Sequence, residues 1–333
     1  MANLGALRYR QYVIALKEET SYGVDVFGGT YTNNVSETLA AENIVPSINL
    51  EEIDILATAG LLGRAPSAIG RETGSVRFEM PLRGKGTAYT AGSIFPDAHR
   101  VLELCGLAGS FGGAAWAFQP ATPSAQKSYT IYIVGPAGNR IQLLGCHGTC
   151  EFRATAGNEL RMVVTATGIL GASPVADITY VAGQFTATPQ YPVAKSANFQ
   201  IGSANYGARF NSMSFAINNQ LNYVPSFNAT GGVAGVFIAD RNPRLEIDPE
   251  DVAVATFDWF TAWKNGTLHD VTFDIGQTGQ SNRISFSFNA SGTANLVTTG
   301  REYFTRDGLM AVRTNLLASI SAGQDDFKIT FNT

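Results

Sequence analysis

Val271-Thr272-Phe273-Asp274-Ile275 and Arg283-Ile284-Ser285-Phe286-Ser287-Phe288 decide the class of this fold. In the first stretch Val271, Phe273 and Ile275 alternate with Thr272 and Asp274; in the second, Ile284, Phe286 and Phe288 alternate with serines. Successive side chains of a strand point to opposite sides, so an apolar residue at every second position sets one face of each strand against a core. Gln277-Thr278-Gly279-Gln280 between them has the composition of a hairpin turn. Near residue 330 the pattern returns, with Phe327, Ile329 and Phe331 on one face and Lys328 and Thr330 on the other, which predicts another paired strand.

Upstream, the same order of elements is written once before. It starts at Ser75-Val76-Arg77-Phe78-Glu79-Met80, passes through an amphipathic stretch over residues 95–107, and reaches strands over 129–134, 139–144 and 160–165. The second statement starts at Arg244-Leu245-Glu246-Ile247, passes through Phe257-Asp258-Trp259-Phe260-Thr261-Ala262-Trp263, and reaches 270–275, 282–288 and 309–315. Asn139-Arg140-Ile141 aligns with Asn282-Arg283-Ile284, and Leu160-Arg161-Met162 aligns with Leu309-Met310-Ala311 at a similar offset. Internal repetition is worth seeking first because missing it misassigns the fold. The expected architecture is mainly β, with two tandem β-sandwich or half-barrel domains, residues 1–180 and 181–333, each carrying one flanking α-helix. Pro96-Asp97 open the first helix, whose stripe is Val101, Leu102, Leu104 and Cys105 before Gly106; Phe257, Phe260 and Trp263, with Trp259 beside them, mark the second before Gly266. Ala172-Ser173-Pro174, residues 186–192 and Ser196 suit a connection between the copies.

Residues before about 70 read as an arm and a long excursion. Val13-Ile14-Ala15-Leu16 is a short apolar run, broken by Ser21-Tyr22-Gly23 and Gly28-Gly29. Ile44, Ile48, Ile53 and Ile55, mixed with Pro46 and Glu51-Glu52, fit an edge strand entering a loop, and residues 58–74, with four glycines and Pro66, read as that loop.

Of the 333 residues 45% are hydrophobic and only 15% are charged, against a usual charged share of about 25%. So little charge implies that much of the surface is interface. A net charge of −4 argues against binding of nucleic acid through a basic face, which needs Lys and Arg to neutralise phosphates. Cys105, Cys146 and Cys150 leave an odd thiol under any pairing and the first residues lack an apolar secretory core, so synthesis in a reducing cytoplasm is expected. No apolar run of about 18 residues occurs, so no membrane segment is expected.

Candidate chemistry is sparse. Cys146-His147-Gly148-Thr149-Cys150 lacks the second ligand pair that tetrahedral zinc needs, and strand alternation puts both cysteines on one buried face. His99 and His269 are isolated, and Gly84-Lys85-Gly86-Thr87 lacks the upstream glycine and following helix of a phosphate loop. Asp97 with Glu103, or Asp240 with Asp248 and Glu250, are carboxylates whose spacing does not show convergence. Asp240-Arg241-Asn242-Pro243 reads as a turn holding an Asp–Arg ion pair, across a subunit boundary on one reading. No catalytic, metal or cofactor site is expected, which favours an assembly component.

Several segments resemble the major tail tube protein of long-tailed, siphovirus-like bacteriophages. They are Ile14-Ala15-Leu16-Lys17-Glu18-Glu19-Thr20-Ser21-Tyr22-Gly23-Val24-Asp25, Gly70-Arg71-Glu72-Thr73-Gly74-Ser75-Val76-Arg77-Phe78-Glu79, Leu82-Arg83-Gly84-Lys85-Gly86-Thr87-Ala88, Val101-Leu102-Glu103-Leu104-Cys105-Gly106-Leu107 and Tyr129-Thr130-Ile131-Tyr132. Phe237-Ile238-Ala239-Asp240-Arg241-Asn242-Pro243 and Asp325-Asp326-Phe327-Lys328-Ile329-Thr330-Phe331 extend the likeness into the second half.

The resemblance implies a half-barrel whose inner sheet joins its neighbours into a ring, with rings stacked into a virion tail tube for DNA. Its partners would be further copies of itself and the tape-measure, tail-terminator and distal tail proteins, and DNA would pass without specific binding. A duplicated tube domain implies a pseudo-hexameric ring of three chains. Glu151, Asp270 and Asp274 are then candidates to line the lumen, and Tyr22, Asp25, Arg64 and Arg71, in or beside the N-terminal arm and the loop, for contact between rings. Two alternatives are a virion receptor- or carbohydrate-binding β protein using Trp259 and Trp263 as stacking platforms, and a hydrolase on a β-sandwich.

Overall fold

The computed structural model describes residues 11–30, 37–54, 67–91, 96–180, 191–195, 198–201, 204–205, 209–277, 279, 281–289, 292, 294–321 and 323–332. In the first half they form β1 (Val13–Glu18), β2 (Thr38–Leu39), β3 (Glu42–Ile53), β4 (Ala68–Pro81), α1 (Pro96–Leu104), β5 (Leu107–Gly112), β6 (Ala115–Pro120), β7 (Tyr129–Val134), β8 (Asn139–Thr155) and β9 (Arg161–Asp177). The second half continues with β10 (Gln200–Ile201), β11 (Ala204–Asn205), β12 (Phe210–Ala216), β13 (Asn219–Pro225), β14 (Val233–Arg241) and β15 (Arg244–Pro249). It closes with α2 (Trp259–Lys264), β16 (Leu268–His269), β17 (Val271–Ile275), β18 (Arg283–Ser287), β19 (Leu296–Arg306), β20 (Leu309–Ala318) and β21 (Lys328–Asn332). The protein is mainly β, as its alternating stretches predict.

Alternation becomes burial directly. Val271, Phe273 and Ile275 of β17 and Ile284 and Phe286 of β18 are buried, and β21 pairs with β18 on one side and β6 on the other. These strands belong to a seven-stranded sheet, β11-β10-β17-β18-β21-β6-β5. It packs on a twelve-stranded sheet whose inner face carries Phe78, Met80, Val164, Phe152, Phe215, Leu245 and Leu316 in a shared core. At the centre Phe152 stacks on Phe215 with centroids 5.8 Å apart, and Phe286 from the smaller sheet meets both edge-on at 5.3 and 6.0 Å.

The larger sheet contains one order of strands twice. β3-β4-β9-β8 from the first half and β12-β15-β20-β19 from the second are each antiparallel throughout. β8 and β12 join them, with Glu151 opposite Ala216 and Arg153 opposite Ser214. The landmark Leu160-Arg161-Met162 with Leu309-Met310-Ala311 falls on β9 and β20, which hold matching places. The landmark Asn139-Arg140-Ile141 with Asn282-Arg283-Ile284 does not: β8 lies in the larger sheet and β18 in the smaller one. Two hairpin strands of equal period are indistinguishable by alternation, and pairing alone sorts them into sheets. The halves meet in both sheets, through β8 with β12 and β6 with β21.

Other expectations shift. The loop expected over residues 58–74 is strand from Ala68 onward, as part of β4, and residues 58–66 lie outside those described, as do 186–190 and Ser196 of the expected linker. Within α2, Trp259 is buried while Phe260 and Trp263 are exposed, so the expected Phe257, Phe260 and Trp263 stripe is not the inward face. A helix of six residues has fewer than two turns, too short for a 3.6-residue period to define a side. The first helix lies as expected: Val101, Leu102 and Leu104 are buried, and Gly106, with φ of 76°, ends it.

Candidate assembly surfaces

The N-terminal motif is an internal fastening built on three side chains. Glu19 accepts hydrogen bonds from Gly23 N and Ser128 Oγ (2.8 and 2.7 Å) on one oxygen, and from Thr130 Oγ1 and Gly145 N (3.0 and 2.8 Å) on the other. Tyr22 reaches from this turn to β8 and β14. Its hydroxyl accepts from Val236 N at 2.6 Å and has the carbonyls of Gly145 and Val236 within 3.1 and 3.0 Å. Gly145, with φ of 57° in the bulge of β8, has to lack a side chain, since a Cβ would fall 2.7 Å from the Tyr22 ring. Asp25 accepts from Phe27 N, Gly29 N and the Tyr132 hydroxyl (2.9, 2.9 and 2.6 Å). The polar atoms of Tyr22 and Asp25 are thus engaged within the chain. Arg71 pairs with Glu51 across the β3–β4 hairpin at 2.6 Å, and Arg64 lies outside the described residues.

On the outer face of the eight strands β3-β4-β9-β8-β12-β15-β20-β19, most charges are paired. Arg161 of β9 meets Glu42 of β3 at 3.0 Å and Glu159 at 2.8 Å. Arg153 of β8 donates two hydrogen bonds, of 2.8 and 2.7 Å, to Glu151, which also accepts from Ser214 of β12 at 2.6 Å. Those bonds, Arg153 first, hold the Glu151 carboxyl below the usual range. Further along, Arg313 of β20 bridges Glu246 of β15 at 3.1 Å and Glu302 of β19 at 3.2 Å. Exposed pairs of this kind add little stability each, so their main effect is a face without a dominant sign of charge.

Glu151 lies on this face; Asp270 and Asp274 do not. Asp274 sits on β17 in the smaller sheet, 3.8 Å from Arg283, and Asp270 precedes the same strand with a buried Oδ1 that has no hydrogen-bond partner. The three acids are not brought together.

The edges of the ladder differ from its middle. β8 has both flanks of its outer edge filled, by β7 along residues 140–146 and by β12 along 151–155. β19 has only its first two residues covered, where Leu268 and His269 pair with Val297 and Leu296. Among the described residues no strand pairs with the outer edge of β3 or with residues 299–306 on the outer edge of β19.

The remaining chemistry is structural. Cys105, Cys146 and Cys150 are free and buried, and burial raises the Cys146 and Cys150 thiols well above the ordinary range. His147 is buried beside Tyr22, and burial lowers it to about 4. Among the described residues no group of three or more His, Cys, Asp or Glu side chains is placed to hold a metal ion, and no helix is long and apolar enough to cross a membrane. Gly84 packs against Ser281 and Asn282, with no room for a Cβ. Arg241 pairs with Asp326 through bonds of 2.8 and 3.1 Å, which corrects the expected pairing within Asp240-Arg241-Asn242-Pro243 and puts the contact inside the chain. No local signal points to it, since the two residues lie 85 positions apart. Trp259 and Trp263 do not form a shared platform, since Trp259 is buried against Phe257 and His269.

The chain is thus mainly β, with an extended, edge-bearing sheet, free buried cysteines and paired charge across one face. The family model described as phage tail tube protein matches residues 10–321, nearly the whole chain, and the protein belongs to that family. It is a structural tail tube component of a phage virion. None of the curated proteins compared matches it.

Proposed function

We propose that this chain closes rings through its β3 and β19 edges, three chains to a ring, and that the rings stack into the tube along which phage DNA is delivered to the host. The observation that carries this is the β8–β12 junction. Two copies of one four-strand order are already joined edge to edge within the chain, and among the described residues the same two edge types, β3 and the far part of β19, stand open at its ends.

An open edge invites pairing, and closing the sheet on further copies satisfies it. Eight strands closed on themselves would leave an interior just wide enough for side chains to fill. The outer face of this ladder is polar and ion-paired, so it cannot be such a packed interior. Three copies make a barrel of roughly 24 strands, beyond the 16–18 that already leave an aqueous channel. The ion-paired face then lines the lumen and Glu151 is among its residues, while Asp270 and Asp274 lie away from it. Arginines held by glutamates have little left to offer phosphates, so DNA passes without adhering. Tape-measure, tail-terminator and distal tail proteins would meet the two ends of the tube, and synthesis would take place in the host cytoplasm.

Native mass spectrometry of isolated rings, with electron microscopy of the assembled chain, tests the reading. Three chains per ring are expected; six would overturn the stoichiometry, and a chain that stays monomeric with a tail initiator present would overturn ring closure.

A further inference from the structure

The second half carries a hairpin that the first half matches. β12 continues into β13, and β14 into β15, with the register kept across the bend, since Ala216 faces Arg244 and Asn219 faces Arg241, and bulges follow on either side. This long hairpin bends where Asn218 takes φ of 53° and Asn242-Pro243 interrupts the other strand. Beyond the bend, β13 and β14 fold back over the first half. Asn219 Nδ2 donates to the carbonyls of Cys105 and Gly148 at 2.7 and 2.8 Å, and Ile238 lies so close to Gly106 that a Cβ there would come within 2.5 Å of it. The C-terminal end of α1 is thereby sealed.

β3–β4 holds the matching position in the first half, and among the described residues its outer half meets the β13–β14 turn of its own chain, where Glu72 N donates to Gly231 O at 3.0 Å, but no helix end. Ile48, Leu50, Ile53 and Ile69 are 40, 48, 50 and 55% exposed. The C-terminal end of α2 shows the complementary gap, with Phe260 and Trp263 67 and 40% exposed and residues 264–266 exposed beside them.

We infer that the outer half of the β3–β4 hairpin of one chain lies across the C-terminal end of α2 of the neighbouring chain whose β19 it joins. The occupant is a second copy of this protein, and the apolar residues of both surfaces are buried together. Charge agrees with the placement, because the hairpin end, with Glu51, Glu52 and Asp54 against Arg71, keeps a net negative charge that would approach the exposed Lys264 in the last turn of α2. Burying that aromatic and aliphatic surface favours association, since apolar area removed from water is the main non-directional driving force.

The inference rests on the ring reading above, and hydrogen exchange on assembled and unassembled chain separates the two. On assembly, backbone amides of residues 259–266 and of 48–53 are expected to slow at least tenfold, and the doubly substituted Leu50→Ser/Ile53→Ser chain is expected to lose the protection at α2. Rings that form while α2 exchanges as fast as in the monomer overturn the hairpin contact and leave ring closure standing. A wild-type chain that forms no rings overturns both. All the substituted side chains are exposed, and circular dichroism of the variant checks that its fold is kept.

Discussion

Glu103 collects three donors on one buried carboxylate: His99 Nε2 at 3.2 Å, Lys127 Nζ at 2.9 Å and the Tyr129 hydroxyl at 2.6 Å. Burial alone would raise this carboxyl, but the hydrogen bonds from His99, Tyr129 and Lys127 together outweigh it and hold it at about 2, against an ordinary 4.5. Between those values the unfolded chain binds a proton that the folded chain refuses, so stability falls as pH falls. The contribution is fully present above about pH 4.5 and lost towards about pH 2. Urea unfolding at pH 5 and pH 3 is expected to show this slope, and Glu103→Gln to flatten it. Tyr22→Phe removes the hydroxyl that receives Val236 N and is expected to cost about 1 kcal/mol by denaturant midpoint, with the N-terminal turn loosened in hydrogen exchange. Glu19, Tyr22 and Asp25 were legible as a motif, but their roles were not, because each has a partner more than a hundred residues away.

Among the elements, strands with one apolar face were the most readable. β17, β18 and β21 follow their alternation, and the stripe and glycine of α1 mark its place. α2 was less readable because six residues do not define a face, and Trp259, with Arg301 5.6 Å from its ring, is turned inward by its packing. The junction of β8 and β12 depends on Phe152 and Phe215 more than on its ladder alone. Phe215→Ala is expected to destabilise the protein by about 3–5 kcal/mol, since a fully buried aromatic leaves both lost apolar burial and a cavity. The effect is read from chemical denaturation, and a variant within 1 kcal/mol of wild type would show that the junction does not rest on this ring.

For the whole molecule, the neutral face of the larger sheet is the property that assembly would put to use. Replacing Glu151 and Glu246 by lysine frees Arg153, leaves Arg313 with Glu302 alone and adds two cations to that face. Assembled tubes of this double variant are expected to retain DNA at low salt and release it as salt rises, whereas wild-type tubes retain none. Fluorescence anisotropy of labelled oligonucleotide measures both, and unchanged behaviour of the variant would place the lumen on another face.

The sequence by itself determined the mainly β class, the faces of individual strands and the likeness to tail tube proteins. Those features are local: alternation, turn residues and short motifs record which side of a segment is buried. Only the tertiary structure decided that β8 joins β12, that β18 belongs to the other sheet from β8, that Glu151 stands apart from Asp270 and Asp274, and that Arg241 meets Asp326. Strand partners are chosen by register and edge complementarity between distant segments, and one period of two residues is compatible with many such choices until the whole core is packed.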